Sequence, residues 1–88
     1  MQILTSPLYE EQLKEILEPM AVENFEDAKK FKIYLDTIIV NIPTKAKKYK
    51  KSVFFDDENI KDVEYENFTI PVFIDGEDYV VLGIVSKS

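Results

Sequence analysis

The chain has no cysteine and no histidine, and its eleven basic residues are all lysines. The missing cysteine excludes disulfides, thiol nucleophiles and thiolate metal sites, and the missing histidine excludes imidazole acid–base chemistry. Without arginine, no side chain offers phosphate or carboxylate a bidentate fork. No apolar run approaches the roughly 20 residues of a membrane span. Met1–Pro7 also lacks the charged end and long apolar stretch of a signal peptide. A cytoplasmic chain with no membrane partner is expected.

What is present is acidic. The formal net charge is −6, which opposes general affinity for nucleic acid, and direct DNA binding is not expected. The charge is uneven: Lys45, Lys47, Lys48, Lys50 and Lys51 lie within seven residues, so the rest of the chain carries −11. Eighty-eight residues are enough for one domain, 1–88, with a single modest core.

Asn67–Val85 is the strongest local signal. Two β-rich runs, Phe68–Ile74 and Tyr79–Val85, flank Asp75-Gly76, a hairpin dipeptide. A two-residue loop there pairs Val72 with Tyr79 and Ile70 with Val81, whereas a three-residue loop pairs Val72 with Val80 and Ile70 with Leu82. A slip of one residue changes which side chains are buried together. Both faces are apolar, so the hairpin is either covered on both sides or covered once and open to a partner. Pro71 removes a ladder donor, and a bulge or an edge position is expected there.

The preceding residues read as a strand and two helices. Gln2–Thr5 is a short apolar strand. Ser6-Pro7 is an N-cap with proline at the first helical position, and Tyr9, Leu13, Ile16, Leu17 and Met20 follow at helical spacing. Pro19 predicts a kink or an end close to Glu18. Asn24 caps a second helix whose stripe of Ala28, Phe31, Leu35, Ile38 and Ile42 marks its core face, with Pro43 as its end. Ser52–Phe55 and Ile60–Tyr65 read as further strands, the latter with Val63 and Tyr65 inward. The order β-α-α-β-β-β-β predicts an α+β fold, a helical hairpin packed on one face of a mainly antiparallel sheet.

This order and its motifs resemble the RelE/ParE-type toxins of bacterial toxin–antitoxin operons across nearly the whole chain. Ser6-Pro7-Leu8-Tyr9-Glu10-Glu11-Gln12-Leu13-Lys14-Glu15-Ile16 is similar to that family's Ser-Pro-x-Ala-x-x-x-Leu-x-x-Ile. Asn24-Phe25-Glu26-Asp27-Ala28-Lys29-Lys30-Phe31 is similar to its Asn-Pro-x-Ala-Ala-x-x-Phe. Asn67–Gly76 is similar to its Gly-Tyr-Arg-Ile-x-Tyr-x-Ile-Asp-Gly hairpin, but with Thr69 in place of the arginine and Val72 in place of the tyrosine. Ser86-Lys87-Ser88 stands where a basic or aromatic tail is usual.

The resemblance implies a toxin, closer to the ParE branch, that binds a macromolecular target such as DNA gyrase and is neutralised by a cognate antitoxin. Phe73, Tyr79, Val81 and Val85 are then expected on or beside the surface an antitoxin or target covers, with Lys50, Lys51, Lys61 and Lys87 as accompanying cations. No catalytic residue, cofactor or metal is expected. Acid–base cleavage of RNA needs a proton-transferring group, and only Tyr65 and Tyr79 stand as substitutes. The alternatives are a ribosome-dependent mRNA endonuclease built on Lys50, Lys51, Lys61 and Lys87, and a non-toxic binding module that keeps the fold. Asp56–Glu58 has metal-ligand residue types without a binding-loop spacing.

Overall fold

Ser6 and Asn24 each start a long helix. In a computed structural model, which describes residues 2–87, β1 (Gln2–Thr5) leads into α1 (Pro7–Glu23), and α2 (Phe25–Val40) follows with only Asn24 between them. Met1 and Ser88 lie outside the described residues. Ser6 Oγ accepts from the Tyr9 N–H at 3.0 Å and Asn24 Oδ1 from the Asp27 N–H at 3.2 Å. Each bond satisfies a donor that a helix start leaves orphaned. Asn24 also closes α1, its N–H donating to the Met20 carbonyl at 2.8 Å.

Both prolines fall differently from expectation. The first helix does not end near Glu18 but continues through Pro19 to Glu23. The carbonyl freed by Pro19 is that of Glu15, and both residues are exposed, so water can satisfy it. The second helix stops at Val40, and Pro43 sits in the first turn of α3 (Ile42–Lys45), where no N–H is needed. A 3-10 turn over Ala46–Lys48 then leads to β2 (Lys50–Lys51). The strand expected over Ser52–Phe55 does not form. There, Asp62 Oδ2 accepts from the Val53 N–H at 3.0 Å and Ser52 Oγ from the Phe54 N–H at 3.1 Å. These side-chain acceptors draw the backbone away from a ladder.

The remaining strands are β3 (Ile60–Tyr65), β4 (Phe68–Asp75), β5 (Asp78–Val81) and β6 (Val85–Ser86). The sheet order is β1-β5-β4-β3-β2, with β6 also alongside β4. Only the β1–β5 pair is parallel; the others are antiparallel. The architecture is α+β, as the element order predicts. Tyr9 and Leu13 of α1 and Leu35 and Ile39 of α2 join Val63, Ile70, Val72 and Val81 of the sheet in one core. Among the described residues no helix is long and apolar enough to cross a membrane.

The hairpin register is neither of the two expected. Val72 pairs with Val81, Ile74 with Tyr79 and Asp75 with Asp78, so the turn residues are Gly76 and Glu77. Gly76 takes φ +62 at the first turn position, where glycine has no steric penalty. Farther along, Thr69 pairs with Val85. Ile70 and Pro71 therefore face three residues, Leu82, Gly83 and Ile84, which is a bulge on the strand opposite Pro71.

The bulge has a chemical cause. The Leu82 N–H donates to the Pro71 carbonyl at 2.9 Å, but Pro71 has no N–H to return. Ser6 Oγ supplies the missing donor to the Leu82 carbonyl at 2.8 Å. The Ile84 N–H, also out of the ladder, donates to Gln12 Oε1 at 2.9 Å. Gly83 makes room for that contact: a Cβ there would lie 2.7 Å from Gln12 Oε1.

Candidate functional site

Strand pairing sorts the side chains into two faces. On the inner face, Ile3, Tyr79 and Ile74 form one row, and Val81, Val72 and Lys61 another. The helical hairpin covers this face. The outer face has three rows: Leu4, Val80, Phe73 and Ile60; Pro71, Asp62 and Lys50; and Val85, Thr69 and Glu64. Its cover is the irregular segment 52–57, whose Phe54 and Phe55 remain 53% and 41% exposed.

Two depressions lie on the outer face. A groove of about 220 Å³ is lined by Leu8, Phe54, Phe55, Pro71, Leu82 and Val85. A larger cleft of about 530 Å³ has Lys48, Lys50 and Lys51 with Tyr49 on its walls, and Asp62 and Thr69 among its other lining residues. Asp62 Oδ2 holds the Val53 N–H, but Oδ1 is buried and makes no hydrogen bond. Lys51 reaches Asp56 at 3.2 Å, and Lys87 reaches Glu64, another lining residue, at 3.5 Å. Among the described residues no three acidic side chains are grouped to hold a metal ion.

No protein-family model and no curated protein matches the sequence. Among solved structures, a chain of the chromosomal ParDE TA system from P. aeruginosa superposes with a TM-score of 0.77 at 15% identity, covering 100% of this chain and 97% of that one. The fold is ParE-like. At that identity the likeness concerns the backbone, and the chemistry must be read from this chain's own side chains.

Four apolar residues were expected on the partner-facing surface of this ParE-like chain, and the sheet separates them. Phe73 and Val85 are on the outer face, half-buried. Tyr79 and Val81 are not: both are buried in the core under the helices, at 8% and 0% exposure. The two-residue turn at Gly76-Glu77 keeps Tyr79 and Val81 on the face of Ile70 and Val72, and the bulge then reverses the alternation before Val85. The lysines separate too. Lys50 and Lys51 line the cleft and Lys87 is held at Glu64, whereas Lys61 pairs with Val72 and belongs to the inner side.

The tyrosines that could stand in as proton-transfer groups face inward as well. The Tyr65 hydroxyl donates to the Phe31 carbonyl at 3.0 Å, and the two rings lie 5.0 Å apart. Burial, then the charges of Glu66 and Tyr34, push its ionisation above the ordinary tyrosine range. Tyr49, on the cleft wall, is pushed up by burial alone. Such phenols keep their protons at neutral pH and are poor general bases. Phe54, Phe55, Leu82 and Asp62 complete the surface without having been singled out from the sequence, together with Thr69 and Pro71, which stand out there for other reasons. Only the pairing register and the path of segment 52–57 bring them together.

Proposed function

We propose that the chain is the toxin of a type II toxin–antitoxin pair. It acts in the cytoplasm by binding a macromolecular target such as DNA gyrase, without cutting RNA, and a cognate antitoxin silences it. The observation that supports this reading is the ParE-like fold over the full chain, with Phe73 and Val85 half-buried on the outer sheet face and the Tyr65 and Tyr79 phenols turned inward. Phe73 and Val85 give the antitoxin or target apolar contact, and Lys50, Lys51 and Lys87 flank them.

The lysine-walled cleft favours one competing reading, a ribosome-dependent mRNA endonuclease that uses lysines to stabilise phosphate charge. Inducible expression separates the two when growth, plasmid supercoiling and transcript integrity are followed together. Growth arrest with altered supercoiling and intact transcripts is the expected result. Early transcript cleavage would replace this reading with the nuclease. Undisturbed growth would leave a non-toxic binding module.

A further inference from the structure

The two edges of the sheet differ in chemistry. One is β2, two residues long and made of Lys50 and Lys51, both exposed. Lysines on a short strand guard an edge against pairing with another chain. The other edge is β1, Gln2-Ile3-Leu4-Thr5, with no charge. No side chain of residues 2–9 is charged, in a chain where 32% of residues are. Leu4 is 47% exposed.

The backbone of that edge is open. Among the described residues β1 pairs only with β5, in parallel. The Gln2 and Ser6 N–H groups donate to the Glu77 and Val81 carbonyls at 3.3 and 2.9 Å, so the even-numbered residues turn their backbone groups toward β5. The N–H and C=O groups of Ile3 and Thr5 therefore point to the open edge. On the outer face, Leu4 heads the apolar row that continues through Val80 and Phe73.

We propose that β1 pairs antiparallel with β1 of a second copy, giving a two-fold dimer with one continuous sheet. With the axis at Leu4, Ile3 of each copy lies opposite Thr5 of the other. Such a pair exchanges both of its N–H···O=C bonds, so the open groups of both strands are all used. The two Leu4 side chains then meet on the outer face at a non-hydrogen-bonded position, with Cα atoms about 4.5 Å apart. They join the apolar rows of the two copies.

A second copy is the occupant this edge selects. An edge with no charge to offer is matched by an uncharged strand, and β1 is one, with the same spacing of open groups. The pairing uses both β1 edges and leaves only lysine edges outside, so it closes at two copies. The contact is small, and two copies of net charge −6 repel. A weak dimer, favoured by concentration and by salt, is expected. The dimer stands or falls independently of the toxin reading, because growth arrest does not report on it.

The full chain is followed by sedimentation velocity over a wide concentration range, in low and in moderate salt. The mass should rise from 10.3 kDa toward twice that value, and further at the higher salt. Amide exchange on the same samples identifies the strand. The Ile3 and Thr5 amides should slow as concentration rises, and the Leu4 amide, which faces β5, should change far less. Leu4→Lys sets two ammonium groups against each other at the axis and should raise the dissociation constant about tenfold or more. Thr5→Pro removes an N–H that faces only the open edge, where a strand tolerates proline, and should weaken the dimer in the same direction. A monomer at every concentration overturns the proposal, as does dimerisation without protection of Ile3 and Thr5. A dimer that weakens with salt would mark a lysine–carboxylate contact between copies and overturns it too. Wild-type exchange decides the matter even if neither variant folds.

Discussion

On the helix side of the sheet, Ile70, Val72 and Val81 have no solvent exposure. One residue along on β4 and β5, facing the other way, Phe73 and Val80 are only half-buried, and the phenylalanines laid over that face stay about half exposed. The same strands supply both sets, so β-propensity cannot explain the contrast. The difference is the cover. Two capped helices with a regular apolar stripe bury one face. The other has a segment without regular structure, held by Asp62 and Ser52 side chains at its start. One face is finished by the chain itself, and the other keeps Phe73, Val80 and Val85 only partly covered.

That contrast breaks first under truncation. Leu35→Ala removes a fully buried side chain from the helix–sheet core and should destabilise by about 2–5 kcal/mol, while Phe54→Ala on the outer face should change stability by less than about 1 kcal/mol. Denaturant midpoints of the two variants decide it, and equal losses would mean that the faces are equally integral to folding.

Ser6 is the next largest. Ser6→Ala deprives the Tyr9 N–H of its cap and the Leu82 carbonyl of its donor, an expected loss of about 2 kcal/mol. Pro71→Ala restores a backbone N–H opposite Leu82, so in that background Ser6→Ala should lose only its capping part, about 1 kcal/mol. A double-mutant cycle with no coupling would show that the Ser6 hydroxyl is not replacing a ladder donor.

Gly83→Ala should be smaller, about 1 kcal/mol. The new Cβ must displace Gln12 Oε1, the far end of a flexible side chain, and it breaks the bond from the Ile84 N–H. The loss should shrink when Gln12 is already alanine.

The smallest effect at neutral pH belongs to Tyr9. Its hydroxyl is buried without a hydrogen bond, so Tyr9→Phe should be neutral or stabilising by up to about 1 kcal/mol. Burial first, then Asp36 and Glu10, hold its ionisation well above the ordinary phenol range. A raised folded-state value means that stability is fully present below the unfolded value of about 10 and is lost as pH climbs from there toward the folded value. Denaturation followed from pH 7 to 11.5 should therefore show an alkaline decline that is shallower in Tyr9→Phe.

Much of the scaffold can be read from local chemistry. Ser6 and Asn24 are capping residues where the structure has caps, and Ala28 and Leu35 share a buried face because helical spacing brings them there, whereas Ile42 is buried from α3. Pro71 signals an irregularity for a reason intrinsic to proline, and the bulge lies opposite it. What fails is parity. Only an odd-numbered loop puts Tyr79 and Val81 outside, and whether the turn holds an even or an odd number of residues is a tertiary choice that no local propensity makes. The strand expected over Ser52–Phe55 fails in the same way. Its apolar residues are real, but Asp62, seven residues past Phe55, takes the Val53 N–H. The lysine cluster is visible as charge, yet its being a cleft depends on that same long-range bond.

The Ser6 and Gln12 contacts also bear on the order in which the molecule is made. They join positions 76 and 72 residues apart, and β1 has no partner until Asp78–Val81 exists. A ribosome synthesising this chain releases the first strand and the first helix long before the residues that complete them. Both must wait, with the sheet edge unpaired, until residues 78–84 have emerged. Contacts at such separation close slowly. The outer face of the sheet therefore cannot form before β5 and β6 have emerged.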